Sequence, residues 1–145
     1  MDRREFGTLL PALLAGLTIT ETAEAAELKE LASGGYKRGA VKPTPQAGRT
    51  SGPILRQGLL KAGNIRLESH YTSIEPGSEH EAVGTHLHSE IWLITEGTLE
   101  LNINGNPHLL NAGDVGLCVA GDRHYVANAG KTRVSYFVVT VGPLE

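Results

Sequence analysis

Three histidines and one glutamate are the side chains in this sequence best suited to bind a metal ion. His86, His88 and Glu90 occupy alternate positions, and His124 follows later in the chain. Residues two apart in a β-strand point to the same face, so the first three start on one side of a strand. Neutral imidazoles with one carboxylate suit divalent Fe, Mn, Ni, Zn or Cu and leave coordination positions open for a substrate or dioxygen. All four residues are therefore candidate metal ligands.

A straight strand cannot bring all of these donors onto one ion. Strands rise ~3.3 Å per residue, which places the Cα atoms of His86 and Glu90 about 13 Å apart. Bonds from zinc to nitrogen or oxygen measure only ~2.0–2.2 Å. The chain must therefore bend between these residues if both are ligands. Without such a bend, alternating histidines are more typical of a solvent-facing strand.

The whole chain has the composition of one globular domain, with 145 residues, of which 40% are hydrophobic and 20% charged. Its net charge of −3 offers no electrostatic footprint for a nucleic acid. No apolar run approaches the ~20 residues of a membrane-spanning helix. The single cysteine, Cys118, excludes an intramolecular disulfide and a cysteine-rich zinc module. Histidine and carboxylate side chains must therefore hold any bound metal.

The first 26 residues have the features of a bacterial export signal. The pair Arg3-Arg4 precedes a stretch rich in leucine and alanine, which ends in the small residues of 23–26. The arginine pair resembles the twin-arginine signal, which bacteria use to export folded proteins. Pro11 interrupts the apolar stretch, so a short amphipathic helix is the alternative. We expect residues 1–26 to direct export to the periplasm.

The rest of the chain divides into a linker and one all-β domain. Residues 27–52 contain Gly-rich and Pro-rich stretches with little to bury, which predicts a flexible arm. Over 53–145, short alternating runs are bounded by Gly, Pro and Asn, and Asn104-Gly105 is a strong hairpin signal. Strands are predicted near 54–60, 65–74, 83–88, 90–96, 98–104, 107–110, 114–119, 123–128 and 133–141. This number and spacing are typical of a jelly-roll β-barrel.

The glycines and the asparagine around the histidines resemble the two motifs of the cupin superfamily. The first motif reads roughly G-x5-H-x-H-x3,4-E-x6-G, and Glu90 is followed after six residues by Gly97. The second reads G-x5-P-x-G-x2-H-x3-N. It is matched at Gly113, Gly121, His124 and Asn128, with Val119 in place of the proline. The resemblance covers most of residues 54–141 and implies a single-domain, cupin-type jelly-roll β-barrel.

The first motif departs from the family pattern between its second histidine and its glutamate. The family leaves three or four residues there, whereas a single residue separates His88 from Glu90. Two alignments are therefore open. One keeps His88 as a ligand beside His86 and His124, and the other replaces it by Glu90.

The alignment on Glu90 puts Gly84 where the first histidine of the motif should stand. That gap suggests a third possibility, a degenerate site in a barrel that holds no metal. His80 precedes the motif and is the nearest histidine that could fill the position, although a loop histidine exposed to solvent is the simpler interpretation.

The resemblance implies a protein that binds a divalent metal in the barrel and acts on, or binds, a small organic molecule. The family uses the same ligands for dioxygenase, isomerase and lyase chemistry, and the fold does not choose among them. The alternative is a non-catalytic cupin that binds a small molecule with a degenerate or absent metal site, and a purely structural dimeric module is a third possibility. The resemblance also implies a homodimer, because cupins commonly dimerise through sheet edges.

Overall fold

The computed structural model describes residues 27–144, so the predicted export signal lies outside the described residues. Within that range the chain forms β-strands and no helix, and hence no helix that could cross a membrane. In chain order the strands are β1 (Lys42–Pro43), β2 (Arg49–Leu60), β3 (Ile65–Ile74), β4 (Ser89–Glu96), β5 (Thr98–Ile103), β6 (Asn106–Asn111), β7 (Val115–Cys118), β8 (His124–Asn128) and β9 (Val134–Gly142).

The strands form two sheets with antiparallel pairing. The larger sheet has the order β1-β2-β3-β9-β4-β7, and the smaller has the order β6-β5-β8. Strands β3 and β4 both pair with β9, although β9 comes last in the chain. Such long returns between neighbouring strands are typical of a jelly roll. The predicted all-β jelly-roll fold is confirmed.

The core lies between the two sheets and is built from alternate residues of their strands. In β9, for example, Val134, Tyr136 and Val138 are buried at alternate positions. Burying one such side chain stabilises the fold by roughly 1.5–3 kcal/mol. The whole buried apolar cluster comprises Ile74, Trp92, Ile94, Leu99, Leu101, Cys118, Val126, Val134, Tyr136 and Val138.

The hairpin predicted at Asn104-Gly105 joins β5 to β6. Both residues have positive φ angles, 51° and 84° respectively. A two-residue turn with this geometry at both positions matches the twist of its flanking strands, and asparagine and glycine tolerate it best. The Asn104-Gly105 pair was therefore sufficient to predict the position of this hairpin from the sequence.

The strand predicted over 83–88 is not formed. Residues 79–88 instead make an irregular segment, the 79–88 loop, which is linked to β8 by one bridge. In that bridge the Gly84 N–H donates to the His124 carbonyl oxygen at 2.8 Å, and the His124 N–H donates to the Gly84 carbonyl oxygen at 3.0 Å. Leu87 remains 70% exposed. The alternating pattern here therefore has no apolar face to bury, which explains why it does not become a strand.

The segment before β2 runs along the larger sheet. The Leu31 N–H donates to the Leu59 carbonyl oxygen at 2.8 Å, and the Leu59 N–H donates to the Lys29 carbonyl oxygen at 2.9 Å. The Leu31 side chain covers Gly58, where an added Cβ would lie 2.6 Å from it. Strand β2 begins at Arg49, inside the stretch interpreted as a linker.

Candidate metal centre

Three of the four candidate ligands come together in space. His86 on the 79–88 loop, Glu90 on β4 and His124 on β8 each offer a ligand atom, and these atoms all lie within 4.8 Å of one another. Donors bonded to one ion at ~2.1 Å lie no more than ~4.2 Å apart. A contraction of less than about an ångström would therefore allow all three to share an ion. His124 is buried whereas His86 is exposed, so the group is open to solvent on one side.

The contacts of His124 show why this group suits a cation. Its Nδ1 lies 3.3 Å from the Asp122 carbonyl oxygen, which can only accept, so Nδ1 carries the hydrogen. Its Nε2 lies 3.0 Å from Glu90 Oε2, an acceptor in the ionised carboxylate. Because a neutral imidazole has a single N–H, the second contact needs either another proton or a cation. Histidines that bind metals are commonly oriented by the same kind of hydrogen bond to a carbonyl.

A bend in the 79–88 loop resolves the spacing problem of a straight strand. The chain bends at Leu87 and His88, just before β4 begins. The His86 carbonyl oxygen accepts a hydrogen bond from the Gly121 N–H at 2.9 Å, which fastens the loop to the segment preceding β8. His86 therefore approaches Glu90 from the 79–88 loop rather than from a position four residues earlier on the same strand.

His88 lies beside the group of three rather than within it. Its ring stacks on that of His86, with centroids 4.6 Å apart and an interplanar angle of 8°. Its Nδ1 lies 3.4 Å from Arg66 Nη1, which can only donate, and its Nε2 lies 3.2 Å from Glu90 Oε1. Nδ1 therefore accepts and Nε2 donates. In this arrangement His88 orients the carboxylate of Glu90.

Gly84 occupies the motif position where a first histidine would stand. A Cβ added there would lie 3.0 Å from His86 Nε2 and 3.9 Å from His124 Cε1. The backbone of Gly84 therefore packs directly against both imidazoles. His80 lies elsewhere, because its ring stacks on Tyr125 with centroids 4.0 Å apart and its side chain is exposed.

An ion pair inside the barrel was missed by sequence reasoning. Arg49 Nη1 on β2 lies 2.6 Å from Glu81 Oε2 on the 79–88 loop, and the arginine side chain is only 12% exposed. Glu81 Oε1 accepts a hydrogen bond from the Val126 N–H of β8 at 3.2 Å. Glu81 thus links the loop to both sheets. No sequence signal indicated the pair, because Arg49 falls in the predicted linker.

His70 is a second interior group that sequence reasoning missed. It lies on β3 opposite the buried Val138 of β9. Burial lowers the pKa of His70 below its ordinary value of 6.5, and the nearby Arg49 adds to this effect, whereas the carboxylates of Glu68 and Glu90 oppose it. His70 lies two residues before the buried Thr72 on β3, and residues two apart in a strand point to the same face. This alternation is the sequence signal that could have placed His70 in the interior.

A cleft of about 430 Å³ opens beside His124. Its lining includes the polar side chains of Asn102, Arg123 and Tyr125. Small-molecule sites typically measure ~300–1,000 Å³ and carry a few polar groups that orient the ligand. Asn102 and Tyr125 lie opposite each other in β5 and β8, one position away from His124, so they face the other side of the smaller sheet from its imidazole. The lining includes neither His86 nor Glu90, so this cleft is separate from the three convergent ligand atoms.

Comparisons with known proteins agree with this geometry. Residues 70–140 match the family model described as a cupin domain. The solved structures that the chain resembles include an RmlC-like cupin from Shewanella frigidimarina (17% identity, TM-score 0.58, covering 82% of this chain and 96% of that one). They also include a sugar phosphate isomerase of the cupin superfamily from Silicibacter pomeroyi (22% identity, TM-score 0.54, covering 72% of this chain and 70% of that one). A third is a predicted oxalate decarboxylase from Thermotoga maritima (21% identity, TM-score 0.52, covering 80% of this chain and 94% of that one).

At these identities the structural likeness shows the fold alone, and no curated protein sequence matches this chain significantly. The matched family model begins within β3 and ends within β9, so it spans both sheets and all three convergent side chains. Together with the jelly-roll topology and the many cupin structures that the chain resembles, this match places the protein in the cupin superfamily.

Proposed function

We propose that this protein is a metal-binding cupin that acts on, or binds, a small organic molecule, with His86, Glu90 and His124 as the metal ligands. The observation that carries the proposal is the convergence of their ligand atoms within 4.8 Å. The contacts of His124 support it, because Nδ1 is held by a carbonyl oxygen while Nε2 faces a carboxylate oxygen. His124 Nε2 and Glu90 Oε2 are both hydrogen-bond acceptors when the imidazole is neutral, and a cation bound by both would relieve their repulsion.

Two imidazoles and one carboxylate form a donor set that suits divalent Fe, Mn, Ni, Zn or Cu. Three protein ligands leave positions open on such an ion, which when bound would supply Lewis acidity or redox chemistry there. His86 is the exposed member of the group. We place the small molecule on this open side of the site.

If the protein is an enzyme, this ligand set would serve dioxygen insertion, isomerisation or elimination by a lyase, the three classes that the family resemblance implies. Among the similar structures, isomerase and predicted oxalate decarboxylase activities are assigned to those proteins and not to this chain. The proposal for this chain therefore stops at the metal and the small molecule. A non-catalytic binding cupin is the second candidate, and Gly84 in place of the first motif histidine favours it.

Export to the periplasm and association into a homodimer are further parts of this proposal. Export is supported by the arginine pair, the apolar stretch and the small residues within 1–26. The homodimer is supported by membership of the superfamily, and sedimentation of the purified protein measures it directly.

Metal analysis of the purified protein tests the central proposal. Wild-type protein should retain or take up about one divalent ion per chain, whereas His86→Ala and His124→Ala should each lose most of it without unfolding. His108→Ala is the matched control, because His108 is an exposed histidine on β6 outside the group of three. Full metal content in both His86→Ala and His124→Ala would overturn the assignment.

A further inference from the structure

A buried hydroxyl group on β9 has no hydrogen-bond partner within residues 27–144. Thr140 is only 6% exposed, and its Oγ1 is shielded from solvent. Burying a hydroxyl without a partner destabilises a protein, so such groups in native proteins require an explanation. Other hydroxyls of the same sheet are paired: Thr72 donates to Ser51 Oγ at 3.3 Å, and Ser73 and Ser135 pair at 2.9 Å. Thr140 differs from these hydroxyls in having no partner, a condition that in the described part of this sheet it shares with Nε and Nη2 of Arg49 on β2.

The register of the larger sheet places Thr140 next to the candidate metal centre. Thr140 lies directly opposite Glu90 on β4 and directly opposite Glu68 on β3. Side chains of directly opposed residues share a face, with Cβ atoms ~4.5–5.5 Å apart. The unpartnered hydroxyl and the carboxylate of Glu90 therefore project from adjacent points of the same inner face.

The hydrogen bonds of Glu90 change if His124 binds a metal ion. Without an ion, the Glu90 carboxylate is contacted by two imidazoles, with Oε1 3.2 Å from His88 Nε2 and Oε2 3.0 Å from His124 Nε2. A histidine nitrogen that gives its lone pair to a metal carries no hydrogen and cannot donate. With the metal on His124 Nε2, His88 Nε2 is therefore the one imidazole nitrogen that donates to the carboxylate, and a further donor can satisfy the remaining oxygen lone pairs.

We propose that Thr140 is a positioning residue for Glu90, donating its hydroxyl hydrogen to the carboxylate when that carboxylate binds the metal. This inference rests on the metal site of the proposed function. It assigns a role to the hydroxyl that has no partner in the metal-free arrangement. Metal-binding carboxylates are generally held by such hydrogen bonds, and loss of one typically weakens metal affinity about 10–100-fold.

Glu68 is the other carboxylate opposite Thr140, but it has a different partner. Its Oε2 lies 3.5 Å from Arg66 Nη2 on the same strand. Glu68 also lies outside the group of three whose ligand atoms converge. The hydroxyl therefore serves Glu90, and a Glu68→Gln background distinguishes the two carboxylates experimentally.

The test measures two quantities on each variant: the dissociation constant for Mn(II) by calorimetry, and the melting temperature in excess chelator. Thr140→Val replaces the hydroxyl by a methyl group of the same shape, so it should weaken Mn(II) binding about 10-fold. The same change should leave the metal-free melting temperature equal or raise it by about 4 °C, because a buried unpaired hydroxyl is removed. Thr140→Ser should bind Mn(II) within about 3-fold of wild type, since it restores the hydroxyl.

Thr72→Val is the matched control because it removes a buried hydroxyl that has a partner. It should lower the metal-free melting temperature and leave Mn(II) affinity unchanged. If Thr140→Val does not fold, Thr140→Ala removes the same hydroxyl with less constraint on packing. Thr140→Val should therefore bind Mn(II) more weakly while its metal-free melting temperature stays the same or rises. A purely structural role for Thr140 does not produce that combination.

Three results overturn the inference. Wild-type Mn(II) affinity in Thr140→Val refutes the role of the hydroxyl while leaving the metal site itself intact. Loss of the Thr140→Val effect in the Glu68→Gln background shows that the hydroxyl acts through the wrong carboxylate. Failure of the wild-type protein to bind any of Mn(II), Fe(II) or Zn(II) removes the proposed function, and this inference with it.

Discussion

His124 Nε2 lies 3.0 Å from Glu90 Oε2, although the two residues belong to different sheets. The pairing register of each strand sets this distance, with Glu90 opposite Cys118 of β7 and His124 opposite Ile103 of β5. A slip of one residue in either strand would turn the side chain to the opposite face. The contact therefore depends on the pairing register of β4 in the larger sheet and of β8 in the smaller one.

The first prediction separates the two ligands that the sequence left open. Glu90→Gln replaces an anionic donor of the group by a neutral amide, so Mn(II) affinity should fall at least about 10-fold. His88→Gln should weaken binding less, because His88 lies outside the group of three and contacts Glu90 only as a hydrogen-bond donor. Calorimetric titration of both variants at one pH measures the difference. Equal affinities in both variants and the wild type would mean that neither residue is a ligand.

The second prediction concerns the ion pair that links the 79–88 loop to the sheets. Glu81→Gln leaves the Arg49 guanidinium buried without its carboxylate, so the free energy of unfolding should fall by about 1–3 kcal/mol. Because the same loop carries His86, metal affinity should fall as well. Urea unfolding and Mn(II) titration measure the two effects. Glu75→Gln, which breaks the exposed contact to Arg133, should leave both quantities essentially unchanged.

The third prediction follows from the lowered pKa of His70. The unfolded chain protonates this histidine near pH 6.5, whereas the folded protein resists protonation until a lower pH, so the unfolded state binds more protons in between. The contribution of His70 to stability is therefore complete above about pH 6.5 and is lost as the pH falls from there toward the folded pKa. In excess chelator, His70→Gln should lose less stability than wild type over that window.

Urea unfolding at a series of pH values measures this difference. His108→Gln, on the exposed surface of β6, is the matched control and should follow the wild-type dependence. If His70→Gln and wild type lose stability in parallel as the pH falls, then His70 does not carry the effect.

The fourth prediction tests export. Replacing Arg3 and Arg4 by lysine keeps the positive charge but removes the arginine pair that resembles the twin-arginine signal. The variant should accumulate as a precursor in the cytoplasm of a bacterial host, while wild type reaches the periplasm. Fractionation followed by mass measurement of the N-terminus distinguishes them, and unchanged export of the variant would point to a different route.

Several features were available from local sequence alone because their causes are local. Short alternating runs indicated an all-β chain, since a strand needs only a period of two to build a buried face. Asn104-Gly105 specified its hairpin because few residues tolerate positive φ at both turn positions. The motif spacing around His124 indicated the cupin superfamily. Gly97 of the first motif has a positive φ angle of 73°, a local backbone requirement that glycine meets best.

The composition of the candidate site, in contrast, was decided by tertiary structure. Spacing named His86, His88, Glu90 and His124 as candidates, but which donors converge depends on a bend in the 79–88 loop and on the registers of β4 and β8. Side chains that meet across sheets leave no pattern in the sequence. Thr140 comes next to Glu90 only because β9 inserts between β3 and β4, a pairing that links the end of the chain to its middle.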